Sequence, residues 1–443
     1  MAKVYPLKFI KPSRLPGQFL SLLRTPPLIA GTVYALALIY SFPWLRIPDV
    51  AGVALPFQRL LAWFGLGVLF LALSLRGRFR ANAAVRFYLG VALLFFAVLG
   101  VTTVTNASSN EVFAWVRYLS EVSKYVAVFA TAFLVYYALA HGLVKLVWLE
   151  RLLILGGAAS IVIAYALLFL YWSGFRSTNE VLAHSFGGSL GVWPTGSFLP
   201  RLAGTTAEPQ QFSVAFLTAL MLMFSRRYVR FWWPVALAGI LALLLSQSKF
   251  ALISLFAVAL YVDTIYKQHR LIFGALLVLM IPPGLVFIST LPVFETTLNQ
   301  GFAAQAFTDR LENLSIMTSI IQDEPFDGIG VGQYGTYRGA LLFNDPFDNP
   351  NYTAGNDIVS IFAETGVFGF LLVVLLFGVL FGKFTAALPR LGRREKERYL
   401  PFLVGAVAIL LNMFIGYEFL HVFFWINLGV LLYLYRAWGA KRA

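Results

Sequence analysis

Apolar runs about one bilayer thick, broken by short polar stretches, repeat along the whole chain. They fall near residues 27–44, 58–75, 87–105, 118–138, 152–172, 211–225, 231–247, 250–265, 271–291, 358–382, 399–416 and 418–436. This pattern predicts an all-α, polytopic integral membrane protein of about twelve transmembrane helices, with 1–443 forming a single transmembrane domain. Pro282-Pro283 interrupts the ninth run and predicts a kink, a transporter-style broken helix being the lesser alternative. Two connections are long, 173–210 and 292–357, and the rest are brief. Idle connections in compact proteins are short, so these two are expected to carry the work.

Composition supports the pattern: 59% of residues are hydrophobic and 12% charged, with a mean hydropathy of +0.78, whereas about a quarter of a soluble domain is charged. A polar, basic stretch of about 26 residues precedes the first run, too long for the n-region of a removable signal peptide. There is no cysteine, which excludes disulfides, thiolate metal sites and cysteine nucleophiles.

The net charge of +14 changes meaning once sorted by side. With twelve spans both termini share a side, and that side receives 25 of the 34 Lys and Arg but only Glu150, Asp263, Glu395 and Glu397 of the 20 carboxylates. The balance is +21 there and −7 opposite. The positive-inside rule then places both termini in the cytoplasm and the two long loops outside. Basic charge beside anionic lipid heads needs no nucleic acid to explain it.

Candidate chemistry collects in the outer loops. The first loop ends in Arg201-Leu202-Ala203-Gly204-Thr205-Thr206-Ala207-Glu208-Pro209. An arginine at that boundary can fork onto phosphate oxygens; an Arg201–Glu208 ion pair that only fixes the loop is the equal alternative. In the second loop, Asp309 followed by Glu312 is close to a capping box. With apolar positions 311, 314, 317 and 321 it predicts an amphipathic outer helix over 310–322. Arg310 then falls in the first turn, beside free N–H groups that suit an anion. The spaced glycines of Pro325-Phe326-Asp327-Gly328-Ile329-Gly330-Val331-Gly332 follow no strand and predict a turn lying against the membrane, not a dinucleotide site. Asp323-Glu324 alone is a weak metal motif, the four histidines form no metal-spaced pair, and no metal is expected.

The loop closes on Asn356-Asp357 and enters the tenth run, where Glu364 stands about two turns in. A carboxylate there costs about 2–3 kcal/mol unless it faces a polar cavity or a partner, so Glu364 is expected to point inward, as a hydrogen-bonding hub or as a catalytic group. Tyr334, Tyr337, Tyr352 and Trp193 can stack on sugars or serve as ordinary interfacial aromatics.

Taken in order, Arg201-x-x-Gly-Thr-x-x-Glu-Pro, Ser246-Gln247-Ser248-Lys249, Arg310, Pro325-x-x-Gly-x-Gly-x-Gly, and Asn356-Asp357 followed by Ala363-Glu364-Thr365-Gly366-x-x-Gly369 resemble the O-antigen ligase/polymerase family over roughly 195–380. The resemblance implies an inverting glycosyltransferase of the bacterial inner membrane with a periplasmic active site. Its donor would be a glycan on undecaprenyl pyrophosphate, its acceptor lipid A-core in ligases or another lipid-linked repeat unit in polymerases. Family ligases place a histidine just before the asparagine at the mouth of the span; here Gly355 stands there, which moves the reading to a polymerase of the Wzy type. Partners implied are the lipid-linked glycan, membrane lipids and a chain-length regulator, with no cofactor.

On this reading Arg201 and Arg310 stabilise the leaving pyrophosphate, Glu208 and Asp357 orient or deprotonate the acceptor, and Arg338, Tyr334, Tyr352, Asn356 and Glu364 bind substrate. A flippase or transporter of lipid-linked sugars is the rival from another class; few midspan charges and polar residues gathered outside argue against it.

Overall fold

The computed structural model describes residues 25–42, 46–50, 53–76, 82–109, 113–173, 191–193, 201–206, 209–246, 248–266, 302–345, 356–413, 416 and 419–439. These fold into a helical bundle. In chain order it contains α1 (Thr25–Leu38), α2 (Phe57–Arg76), α3 (Ala83–Ser109), α4 (Trp115–Ala140) and α5 (Leu146–Trp172). Next come α6 (Pro209–Ala215), α7 (Leu217–Met223), α8 (Val229–Leu245), α9 (Lys249–Tyr266), α10 (Phe302–Asp323) and α11 (Tyr334–Phe343). The chain ends with α12 (Asp357–Ala387), α13 (Arg393–Met413) and α14 (Val422–Gly439).

Helices therefore stand at eleven of the places where the hydrophobic pattern puts a span; the run at 271–291, with Pro282-Pro283, lies outside the described residues. By length and composition five of them can cross a membrane: α2, α3, α4, α5 and α12. The sixth run is divided, α6 giving way to α7 at Phe216 (φ −112°, ψ 7°). The first helix stops at Leu38, short of the predicted 44, before Phe42-Pro43, where a residue preceding proline is driven out of the α region.

Two features depart from the sequence expectation. The fold is not purely helical: β1 (Arg46–Val50) pairs antiparallel with β2 (Val53–Pro56), and β3 (Gly191–Trp193) pairs antiparallel with β4 (Arg201–Gly204), setting Trp193 opposite Arg201. And α10 begins at Phe302, not near 310. The stretch Phe302-Ala303-Ala304-Gln305-Ala306 is rich in strong helix formers, so Arg310 falls in the third turn, past the free N–H groups that its predicted first-turn position would have offered.

The core runs along α4, which is buried almost continuously from Ala127 to Leu139, whereas α2 is buried only in part. It packs against α2, α3 and α14, and Gly429 of α14 sits so close to α4 that a Cβ there would lie 2.5 Å from the Ala132 carbonyl oxygen. At the bundle centre Tyr40, Thr218 and Asn427, all buried, satisfy one another: the Tyr40 hydroxyl donates to Thr218 at 3.0 Å, and the Asn427 amide donates to Thr218 at 2.9 Å and Tyr40 at 3.1 Å. Phe70, Leu93, Val104 and Phe231 stand largely exposed on the outside, an apolar coat suited to lipid rather than water.

Charged residues cap one end. Glu150 at the start of α5 accepts from the Tyr228 hydroxyl at 2.8 Å and pairs with Arg227 at 3.5 Å and Arg398 at 3.7 Å. The basic stretches before α8 and at the head of α13 thus meet at one end, the one the charge asymmetry assigns to the cytoplasm.

Candidate functional site

The spanning helix α12 is broken. Gly366 has φ 65° and ψ −173°, a conformation open only to glycine. The break releases the carbonyls of Ala363 and Glu364 and the amide of Val367 from the helical ladder, and buried backbone groups need partners. The glycine stretch supplies them. Ile329 N–H donates to Ala363 O at 3.0 Å, Gly330 N–H to Glu364 O at 3.1 Å, and Val367 N–H to Pro325 O at 2.8 Å. Gly328, Gly330 and Gly332 all have positive φ, and a Cβ on Gly328 would meet both Ala363 O and Gly366 N at 2.6 Å. The Pro-x-x-Gly-x-Gly-x-Gly and Ala-Glu-Thr-Gly motifs are the two halves of one contact.

Two amides from outside the loop tighten it. Asn106 of α3 donates to Gly328 O at 3.0 Å. Gln333 clamps the backbone of Ala114, accepting from its N–H at 3.0 Å and donating to its carbonyl at 3.3 Å. Gly332 settles onto the first turns of α4, where a Cβ would lie 2.9 Å from Glu121 Cγ and 3.2 Å from Arg117 O.

Directly beneath lies a cluster of charges. Glu121 pairs with Arg117 at 3.3 Å and with Lys124. Glu364 accepts from the Gly332 backbone and sits in the field of Glu121, Arg117 and Lys124. Arg59 of α2 also lies in the electrostatic field of Lys124, and the Tyr125 hydroxyl lies in that of Glu364, Glu121 and Asp357. Buried charges are costly unless paired, and here cations and carboxylates alternate. Glu364 points inward as expected. Arg117, Glu121 and Lys124 were missed because each looks like an isolated charge near a span end; their i, i+4 and i, i+3 spacing on an apolar helix was the available signal.

Other predicted residues have definite places. Asn356 caps α12, accepting from Val359 N–H at 3.1 Å. Asp357 joins α12 to the α13–α14 connection, donating its N–H to Gly416 O at 3.1 Å and accepting Phe419 N–H on its carboxylate at 2.7 Å. Arg338 pairs with Glu312 at 3.4 Å, tying α11 to α10. The Tyr334 hydroxyl donates to Asn313 at 2.8 Å, and its ring, 2% exposed, packs with Ile316, Met317, Ile320, Ile329 and Ala363. Burial, then the Asp323 and Glu324 carboxylates, push the Tyr337 hydroxyl above its usual range, so it stays protonated and donates to Asp323. The side chains of Arg201, Arg310 and Trp193 lie outside the described residues, as do Glu208 and Tyr352 altogether.

The stretch after Arg201 does not stay at the surface. Leu202 to Thr206 are buried, with Thr205 donating to Ser41 O at 2.7 Å and bonded to Ser160 at 2.6 Å. Ser213 of α6 bonds Ser246 at 3.0 Å and Ser254 donates to its carbonyl at 2.8 Å, so the first-loop motif and Ser246 at the end of α8 meet through α6.

The family model described as O-Antigen ligase matches residues 234–374, from within α8 to beyond the break in α12. A comparison with curated proteins gives no match. The matching region contains both halves of the loop-on-break contact, and the five long apolar helices accord with a membrane-bound glycan-processing family. Over residues 234–374, about a third of its length, this helical membrane protein is similar to the O-antigen ligase family.

Proposed function

We propose that the chain is a glycosyltransferase that polymerises oligosaccharide repeat units carried on undecaprenyl pyrophosphate, building O-antigen or a related surface polysaccharide on the periplasmic side of the bacterial inner membrane. The supporting observation is the glycine loop seated on the α12 break within the family-matching stretch. It anchors the connection between α10 and α11, which bear Arg310 and Arg338, to a spanning helix.

Transfer is a single displacement at C1 of the donor's reducing-end sugar. The acceptor oxygen bonds to C1 as the C1–O bond to pyrophosphate breaks, and undecaprenyl pyrophosphate leaves with the bonding pair. The leaving group is already activated, so neither nucleotide nor ATP enters. Negative charge grows on the pyrophosphate, and Arg201 and Arg310 stabilise it, with Arg338 in support. Glu208 takes the acceptor's proton. Asp357, committed by its carboxylate to the Phe419 amide, holds the α13–α14 connection in place beside the acceptor.

The ligase reading draws on the matching model's description, the polymerase reading on Gly355 where family ligases carry histidine. Purified protein in liposomes, given defined lipid-linked repeat units without ATP or an ion gradient, should yield a ladder of extended chains. Arg201→Ala and Arg310→Ala should each slow it by about 10²–10³; wild-type rates in both variants would refute the arginine assignment. Transfer only onto lipid A-core would establish the ligase, and label crossing the bilayer without any transfer a flippase.

A further inference from the structure

At the end of the bundle away from the glycine loop, two arginines distant in sequence converge on one backbone oxygen. Arg226, from the α7–α8 connection, donates to the carbonyl of Ile265 at 3.3 Å, and Arg393, first residue of α13, donates to the same oxygen at 3.1 Å. Their guanidinium groups are thereby fixed within two hydrogen-bond lengths of each other. Ile265 is in the last turn of α9, where carbonyls lack helical partners. The nearby Glu150 is committed to Tyr228, Arg227 and Arg398, while Glu397, one turn along α13 from Arg393, acts on Tyr266 together with Arg226. Among the described residues neither Arg226 nor Arg393 forms an ion pair with a carboxylate.

Each guanidinium has five donors, and one carbonyl with two lone pairs accepts from both, so most of the fork remains. Both side chains belong to exposed residues. Capping α9 requires one cation; a second brings like-charge repulsion that a shared anion relieves. Arg226 also stacks over Tyr266 at 5.0 Å, and Arg151 over the half-exposed Trp148 at 4.8 Å, aromatic–basic pairs typical of the headgroup layer.

We propose that Arg226 and Arg393 form a seat for the phosphate of an anionic phospholipid headgroup, clamped between the ends of α9 and α13. The occupant is a lipid and not free phosphate because the seat lies at the end of the bundle where basic residues gather beside Arg–aromatic pairs, the composition that suits a layer of anionic headgroups. The inference does not rest on the glycosyltransferase reading.

The test uses the full chain in nanodiscs of phosphatidylcholine with a minority of phosphatidylglycerol, counting retained lipids by native mass spectrometry. Wild type should retain phosphatidylglycerol preferentially. Arg226→Gln/Arg393→Gln should lower that preference by roughly thirtyfold, taking each basic contact at the usual lipid-headgroup value. The control Arg230→Gln/Arg394→Gln removes the same charge nearby and should change it by less than threefold. Equal losses in both would mean diffuse attraction and overturn the seat, as would unchanged retention in the first variant. Loss of the preference in 10 mM inorganic phosphate would overturn the lipid in favour of a free anion (the concentration is on the order of that which competes for weak phosphate sites). Should the Gln pair fail to fold, Arg226→Lys/Arg393→Lys keeps the charge but loses the fork; full retention there would also overturn the proposal.

Discussion

Gly366→Ala tests the docked loop most directly. In place, an alanine would keep a conformation costing about 1–3 kcal/mol, and its Cβ would overlap the Phe326 carbonyl and lie 2.8 Å from Asp327 N. Neither neighbour is a flexible side-chain tip, so the loop must leave. Departure gives up three loop-to-helix hydrogen bonds at about 1 kcal/mol each. Straightening α12 returns about 1 kcal/mol through alanine's better helix propensity. The balance is a loop loosened by roughly 2 kcal/mol, about thirtyfold in its opening equilibrium. Hydrogen exchange resolves this at the amides of Ile329 and Gly330, which should lose about that much protection while the amides of α4 keep theirs. Gly378→Ala, in the same helix with open space around it, serves as control and should be neutral or slightly stabilising. Protection at 329 and 330 unchanged within twofold in Gly366→Ala would refute the argument that the break and the loop depend on each other.

Three further outcomes follow from the surrounding contacts. Asn106→Leu removes the donor to Gly328 O and should destabilise by about 1–3 kcal/mol, with Gln333→Ala costing about 1–2 kcal/mol through the lost Ala114 clamp; limited proteolysis within 324–333 reports both, and an unchanged cleavage rate counts against them. Glu121→Leu strips a carboxylate from between Arg117 and Lys124 and should cost on the order of 3 kcal/mol, much of it recovered when Lys124→Met is added; denaturation in mixed micelles measures this, and additive losses would show that the charges do not act as a unit. The Tyr337 hydroxyl is held protonated in the fold by burial and by Asp323 and Glu324, so its folded pKa exceeds the unfolded value near 10. Its contribution is complete below about pH 10 and is lost as the pH rises toward the folded value, and Tyr337→Phe should flatten that alkaline decline in melting temperature.

The bundle was legible because lipid-facing and buried helices both read as long apolar runs, and only length had to be judged. Boundaries failed where local chemistry overrides hydropathy: before Pro43, at Phe216, and at Phe302, where alanines carry the helix back from Asp309. The spaced glycines of 325–332 read as a turn, but nothing within that stretch names Ala363 and Glu364 of α12 as the acceptors it docks on. Both hairpins were missed; strands of three to five residues carry too few positions for an alternating pattern to register.

The charged cluster was illegible for a different reason, and it bears on what the break is for. An unbroken α12 would have satisfied its own backbone, and in a lipid environment each orphaned group costs several kcal/mol. Keeping the break requires the loop, and keeping the loop requires a floor that accepts Gly332 against Glu121 and Arg117. That floor is polar because Glu364, one residue past the first acceptor carbonyl, shares it. Charges from α2, α4 and α12 are therefore tied to a backbone irregularity about three hundred residues downstream of the first of them, Arg59 (a spacing of the kind only tertiary contact reveals). Reading each span alone prices Arg117 or Lys124 as a stray interfacial cation; their role appears only when helix, loop and break are placed together. If so, neutralising the floor in a Glu121→Gln/Lys124→Gln variant should loosen Ile329 and Gly330 as Gly366→Ala does, and intact protection at those amides would separate the cluster from the break.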